Sequence, residues 1–220
     1  MNLANVAQAR FNMIEQQIRP WNVLDADVLN LLAQVPREQF VPPAQQALAF
    51  ADLEVPLSHG QNMLAPRLEA RMLQDLQIQA HEKALEIGTG SGYMAALLGH
   101  CAHSVISLER VPELAANARL ALQHAGLSNV EVRVADGSQA LGGLGKFDVI
   151  VLSGSVPQVP QHLIDMLAVG GRLMAIVGDE PIMSAQLITR VSDAACNSTT
   201  PWDANAPRLH GFAEHSQFHF

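Results

Sequence analysis

Over the first eighty residues, apolar positions recur with a helical period. Val6, Phe11, Met13, Ile14 and Ile18 form a rough stripe that predicts a helix ending at Arg19-Pro20, where proline has no amide to continue it. Val28, Leu29, Leu31 and Leu32 predict a second helix over 25–34 with those four side chains inward and Asp25 placed to cap it. "VPREQFVPP" is a proline-punctuated connection, followed by a short helix over 42–50. "ADLEVPLSHGQNMLAP" has no sustained period and predicts an ordered loop. A third helix is expected from Pro66 to Leu76, with proline at its first position, where the missing amide is not needed.

The pattern changes near Lys83. Short apolar runs over 84–87, 104–108, 130–135, 147–152 and 172–177 predict strands, and helical segments over 92–101, 112–125 and 160–167 lie between them. Helical crossovers between short apolar strands imply a parallel, doubly wound α/β sheet. "AQLITRVSD" adds a further strand, and the tail from Trp202 reads as β-like or irregular. The expected organisation is a helical extension with a loop over 1–80, packed on a core over 81–220.

One stretch carries a ligand signature. In "LEIGTGSGY" a strand runs into Gly88, Gly90 and Gly92 and then a helix. Such a turn lets a nucleotide approach the backbone. Tyr93 stands where the dinucleotide fingerprint has its last glycine, which alone decides little between a dinucleotide and S-adenosylmethionine. The acids decide more. Glu86 shares a side with Gly88, where a pyrophosphate would be repelled and an ammonium or sulfonium favoured. Glu109 ends the second strand, placed for ribose hydroxyls, and Asp136-Gly137 ends the third, placed for an adenine edge. Three acids at adjacent strand ends favour S-adenosylmethionine.

Composition narrows the remaining classes. The chain has 220 residues, 49% of them hydrophobic and 15% charged, enough apolar residues for one buried core and unlike a disordered chain. A net charge of −8 argues against a nucleic-acid partner. No apolar run approaches the ~18 residues that span a bilayer, and the N-terminus lacks the uninterrupted apolar run of a signal peptide. Cys101 and Cys196 form no framework and read as free thiols, so a cytoplasmic location is expected.

These motifs and their flanks resemble the protein-L-isoaspartate O-methyltransferase family over most of the chain. "QIRPWNVLDADVLNLLAQVPREQFVPP" is similar to its N-terminal region, and "PLSHGQNMLAP" to its "PLP…GQTIS-x-P" loop. "LEIGTGSGY", "SLER" and "ADG" match its three cofactor motifs. The resemblance implies a seven-stranded, mostly parallel, Rossmann-like methyltransferase fold with an N-terminal helical extension. It implies S-adenosylmethionine bound by Glu86, Gly88, Thr89, Gly90, Gly92, Glu109, Arg110, Asp136 and Gly137, and a protein or peptide substrate with an isoaspartyl site.

Departures from the family fall on the acceptor side. Asn62-Met63-Leu64 replaces Thr-Ile-Ser, Ser153-Gly154-Ser155 replaces "TAA", and the tail "GFAEHSQFHF" replaces an "RFVPL"-like strand. Carboxyl methylation needs no general base, because the acceptor is already ionised, but a desolvated carboxylate needs donors. Ser58, Gln61 and Asn62 are the candidates for positioning it, with His59 and Arg67 read as surface groups. "HCAH" and His210, His215 and His219 do not read as a metal site. Leu64 leaves two readings: a packing change, or a pocket reshaped for another acceptor, including a small molecule. A third reading is a cofactor-binding protein without turnover.

Overall fold

The computed structural model describes residues 3–213. Helix α1 (Leu3–Met13) widens into a π-type turn (Ile14–Ile18) and tightens into a 3₁₀ turn (Arg19–Trp21) before Asn22, at φ 61°, ends it. The helical run therefore ends one residue past Pro20, which falls in a short turn where its amide is not required. Helix α2 (Ala26–Gln34) follows, capped as expected: the Asp25 carboxylate accepts from the amides of Asp27 (2.8 Å) and Val28 (3.3 Å). Val28, Leu29 and Leu32 are buried, whereas Leu31 is only partly so. The short helix predicted over 42–50 is a 3₁₀ helix, Pro43–Leu48.

The segment expected to be a loop holds a small hairpin, β1 (Val55–Pro56) and β2 (Asn62–Met63), with Val55 opposite Met63. Two-residue strands are too short to show a period of two. Helix α3 (Pro66–Leu76) then leads to the main sheet. Its elements are β3 (Lys83–Ile87), α4 (Tyr93–Cys101), β4 (Ser104–Glu109), α5 (Pro112–His124), β5 (Val130–Val134), β6 (Phe147–Val156), α6 (Gln161–Asp165), β7 (Leu167–Asp179), β8 (Ile182–Ser192) and β9 (Ala195–Thr199). Strand β7 starts earlier than predicted and takes Leu167 from the expected helix. Strand β9 was not expected: all five residues are exposed and leave no alternation to read.

Seven strands lie in the order β5-β4-β3-β6-β7-β8-β9. The pairings from β5 to β7 are parallel, and β8 and β9 add antiparallel hairpins. The mostly parallel seven-stranded architecture is thus as expected. Strand order reverses between β3 and β6, which opens a crevice beyond their carboxyl ends.

Side chains alternate across the sheet. Ala84, Val105 and Val149 join a core shared with Met13, Leu32, Leu68, Met72 and Leu97, so the N-terminal helices and the sheet bury one apolar layer together. Leu85, Leu108, Ile150 and Leu173 face the opposite layer with Leu163 of α6. At the seam, Arg172 of β7 donates to the carbonyls of Leu76 (2.6 Å) and Gln77 (2.9 Å) and pairs with Glu82. Trp202 Nε1 donates to Asp75 Oδ2 of α3 at 2.6 Å.

Candidate cofactor and acceptor site

The turn after β3 is held by glycine conformations. Gly88, Gly90 and Gly92 have φ of 92°, 52° and 85°, values that L side chains adopt with strain. Its amides are tied to β4. Gly88 N donates to Leu108 O (2.8 Å), and Gly90 N donates to Glu109 Oε2 (2.9 Å). The other Glu109 oxygen accepts from Val111 N at 2.9 Å, fixing the carboxylate at the strand end. Each oxygen keeps a lone pair for a further donor.

Glu86 lies elsewhere than its sequence position suggested. It is fully buried beneath the turn, its oxygens accepting from Ser107 Oγ (2.5 Å) and Ser153 Oγ (2.7 Å). Thr89 Oγ1 meets the same Ser107 hydroxyl at 2.5 Å, so the Thr89 side chain supports the turn from below. Burial pushes the Glu86 carboxyl up to about 8, against the pull of the two serine hydroxyls. Two acids therefore face the crevice and the third stands behind it.

Asp136 lies just past β5, where its carboxylate accepts from the Ser138 hydroxyl (2.7 Å) and amide (3.0 Å). Burial raises its pKa, but the Ser138 bonds and nearby Arg110 outweigh this and hold the carboxyl below its usual value. Arg110, Gly137, Gly88 and Glu109 line the same crevice with Gln61. Gly137 is required sterically, since a Cβ there would come within 2.4 Å of Ile87 Cγ2.

The loop candidates divide. Gln61 and Asn62 line a neighbouring cavity of about 260 Å³ with Ser153, Glu54, Glu180 and Arg208. Partial burial and the Glu180 charge push the Glu54 carboxyl up. Ser58 faces another groove, beside Phe40, Pro42, Gly90 and Ser91. His59 pairs with Glu113 at 2.9 Å. Arg67 is neither solvated nor free: it pairs with Asp52 (2.6 Å) and lies 4.5 Å from the Trp21 ring centre. Among the described residues no group of His, Cys, Asp and Glu could hold a metal. His210 is exposed but bonds Gln61 Nε2 at 3.2 Å; His215, His219 and the tail past residue 213 lie outside the described residues.

Leu64 is buried at 3% exposure within the apolar core, and it packs there rather than lining the cavity of Gln61 and Asn62. Its carbonyl accepts from Arg37 Nη2 at 2.6 Å. Arg37 is fully buried, pairs with Glu69 and lies 4.8 Å from the Tyr93 ring centre, linking the loop to the helix after the glycine turn. In "VPREQFVPP" the one signal for this role is a single arginine between Pro36 and Pro42. Ser107, which holds Glu86, has no role in the sequence reading, and Ser153, read only as a departure from the family's "TAA", is its second partner.

A parallel sheet with this strand order, a glycine turn and two carboxylates at the next two strand ends defines the S-adenosylmethionine-dependent methyltransferase class. The profile of the protein-L-isoaspartate(D-aspartate) O-methyltransferase family (PCMT) matches residues 8–202, and the chain belongs to this family. It is 41% identical over 189 residues to the protein-L-isoaspartate O-methyltransferase of Koribacter versatilis, covering 86% of this chain and 85% of that protein. It is 43% identical over 169 residues to that of Methanoculleus marisnigri, covering 77% of each. In fold it resembles a Plasmodium falciparum structure described as a PCMT in complex with S-adenosyl-L-homocysteine, with TM-score 0.77, 23% identity and coverage of 93% and 97%. A second solved protein-L-isoaspartate O-methyltransferase gives TM-score 0.77 at 20% identity, covering 92% of this chain and 66% of that one. No helix among the described residues is long and apolar enough to cross a membrane.

Proposed function

We propose that the protein methylates the carboxylate of isoaspartyl residues in damaged proteins or peptides, with S-adenosylmethionine as donor. The carrying observation is the adjacency of two spaces. The acceptor-side cavity and the crevice of the glycine turn share Gln61, where the loop meets the end of β3. The residues present suit the cofactor: Glu109 and Asp136 accept hydroxyl or amine donors, the turn admits close backbone approach, and Glu86 supports the turn from beneath through Ser107 and Ser153.

The cofactor supplies an electrophilic methyl group on sulfur. The protein contributes alignment and exclusion of water, which for well-oriented groups supplies up to roughly 7–11 kcal/mol. The acceptor carboxylate, with a pKa of about 4, is ionised at neutral pH, so no side chain has to take a proton. Gln61 and Asn62 amides present donors to that carboxylate as it leaves water. Arg37 acts through the backbone, fixing the loop at Leu64. The burial of Leu64 removes one departure from the acceptor side, and Asn62, which lines the cavity, supplies an amide donor where the resemblance has a threonine hydroxyl. We place the activity in the cytoplasm, where the free thiols Cys101 and Cys196 suit a reducing compartment.

The test is incubation with an isoaspartyl peptide and methyl-labelled cofactor. Base-labile label on the peptide and matching S-adenosylhomocysteine are expected. Absence of transfer, with cofactor binding intact, would refute the assignment.

A further inference from the structure

We propose that residues 207–212 form a strap that competes with the cofactor for its crevice, so that the strap must lift before S-adenosylmethionine binds. This rests on the cofactor reading above. The strap lies beyond residue 202, where the family profile ends.

Its anchor is strand β6. Ser155 N donates to Pro207 O (2.7 Å) and Leu209 N donates to Ser155 O (2.9 Å), with a parallel bridge between Ser155 and Arg208. The Ser155 hydroxyl donates to Ala206 O at 2.9 Å. These bonds carry the chain across the carboxyl end of β6 and over the glycine turn.

The strap then fills the space that the glycines leave. A Cβ on Gly88 would stand 2.8 Å from Leu209 Cδ2, and one on Gly154 would stand 2.8 Å from Leu209 Cγ. Leu209 therefore sits in the opening that the first glycine of the turn provides. Two residues on, a Cβ at Gly211 would meet Arg110 Nη1 (3.1 Å), Ser138 Oγ (3.1 Å) and Asp136 Oδ2 (3.2 Å). The strap backbone thus lies against the rim groups that would receive the nucleoside. Leu209 and Phe212 pack on the apolar cluster that includes Ile87 and Leu108. The space left between strap and turn is about 30 Å³, far too little for a nucleoside.

The strap is pinned at Arg208, which donates to Gly178 O (2.9 Å) and to Asp179 Oδ1 (2.7 Å), and is held more lightly beyond it. Leu209 and Phe212 are only partly buried, Gly211 is exposed, and the contact to the acceptor loop is the exposed Gln61–His210 hydrogen bond. Few buried contacts mark a segment that opens at low cost. A ligand that binds only the open form has its affinity reduced by the open fraction, so weakening the strap strengthens binding.

The probe is S-adenosylhomocysteine with the full-length chain. Calorimetry is expected to show tighter binding, at least threefold, for Leu209→Ala and for Phe212→Ala. In the unsubstituted protein, saturation is expected to speed hydrogen exchange at the Leu209 amide, because its bond to Ser155 breaks. Binding that is unchanged or weaker in both variants, or exchange at Leu209 that slows or stays constant on saturation, would overturn the strap. A chain that binds the probe neither unsubstituted nor with either substitution would instead remove the cofactor reading, and the strap with it.

Discussion

Arg37 donates through Nη2 to the carbonyl of Leu64 at 2.6 Å. The same guanidinium pairs with Glu69 of α3 and lies over the Tyr93 ring, so one buried cation spans the acceptor loop, a helix and the start of α4. Desolvation raises the Glu69 carboxyl to about 7, and the Arg37 charge opposes it. Removing one partner of a buried pair leaves the other uncompensated and costs about 3–5 kcal/mol. Arg37→Met is expected to lose that much in urea unfolding, and Arg37→Met with Glu69→Leu to recover most of it. Equal losses in the single and double variants would contradict the pairing.

Glu86 gives a pH signature. Its folded pKa of about 8 exceeds the ordinary 4.5, so the folded state holds the extra proton between those values. The associated stability is complete below 4.5 and is lost as pH rises through 8. Glu86→Gln removes this loss. The variant is expected to match the native protein near pH 5 and to exceed it at pH 8–9; a recovery of about 2 kcal/mol corresponds to roughly 4–8 °C in Tm. Parallel melting curves across this range would show that Glu86 titrates normally.

Leu64 and Asn62 should separate stability from recognition. Leu64→Ser places a hydroxyl in the core and is expected to cost ~2–5 kcal/mol by denaturant titration, leaving activity on isoaspartyl peptide unchanged per folded molecule. Asn62→Ala removes a donor to a charged group and is expected to lower kcat/KM about 10–100-fold with little change in stability. The reverse distribution of effects would place Leu64 in the cavity.

Glu109 joins two backbone amides to the crevice. Glu109→Ala is expected to weaken S-adenosylhomocysteine binding ~10–100-fold by calorimetry, the loss of charge-assisted hydrogen bonds worth about 1.5–3 kcal/mol. Retention of full affinity would remove Glu109 from the cofactor site.

What sequence alone revealed follows the range of the forces involved. Helix α2 was readable because Asp25 caps its own neighbours and Val28, Leu29 and Leu32 repeat with the helical period. The glycine turn was readable because Gly88, Gly90 and Gly92 meet a local backbone need. Glu109 and Asp136 were readable as strand ends. The burial of Glu86 was not, because Ser107 and Ser153 reach it from other strands. Arg37 was missed for the same reason: its acceptors, the Leu64 carbonyl after β2 and Glu69 of α3, are brought to it by tertiary packing. Strand β9 has five exposed residues and draws its order from pairing with β8, which leaves no trace in a hydrophobic pattern.

Arg172 has a consequence for how such chains can be recombined. Its guanidinium, rooted in β7, is gripped by Leu76, Gln77 and Glu82, all of which precede the sheet. A hybrid of two cousins must therefore keep an acid at 82 with the arginine at 172, while positions 76 and 77 offer main-chain carbonyls that any residue supplies. The natural splice falls before Glu82, so that both halves of the clasp come from one parent.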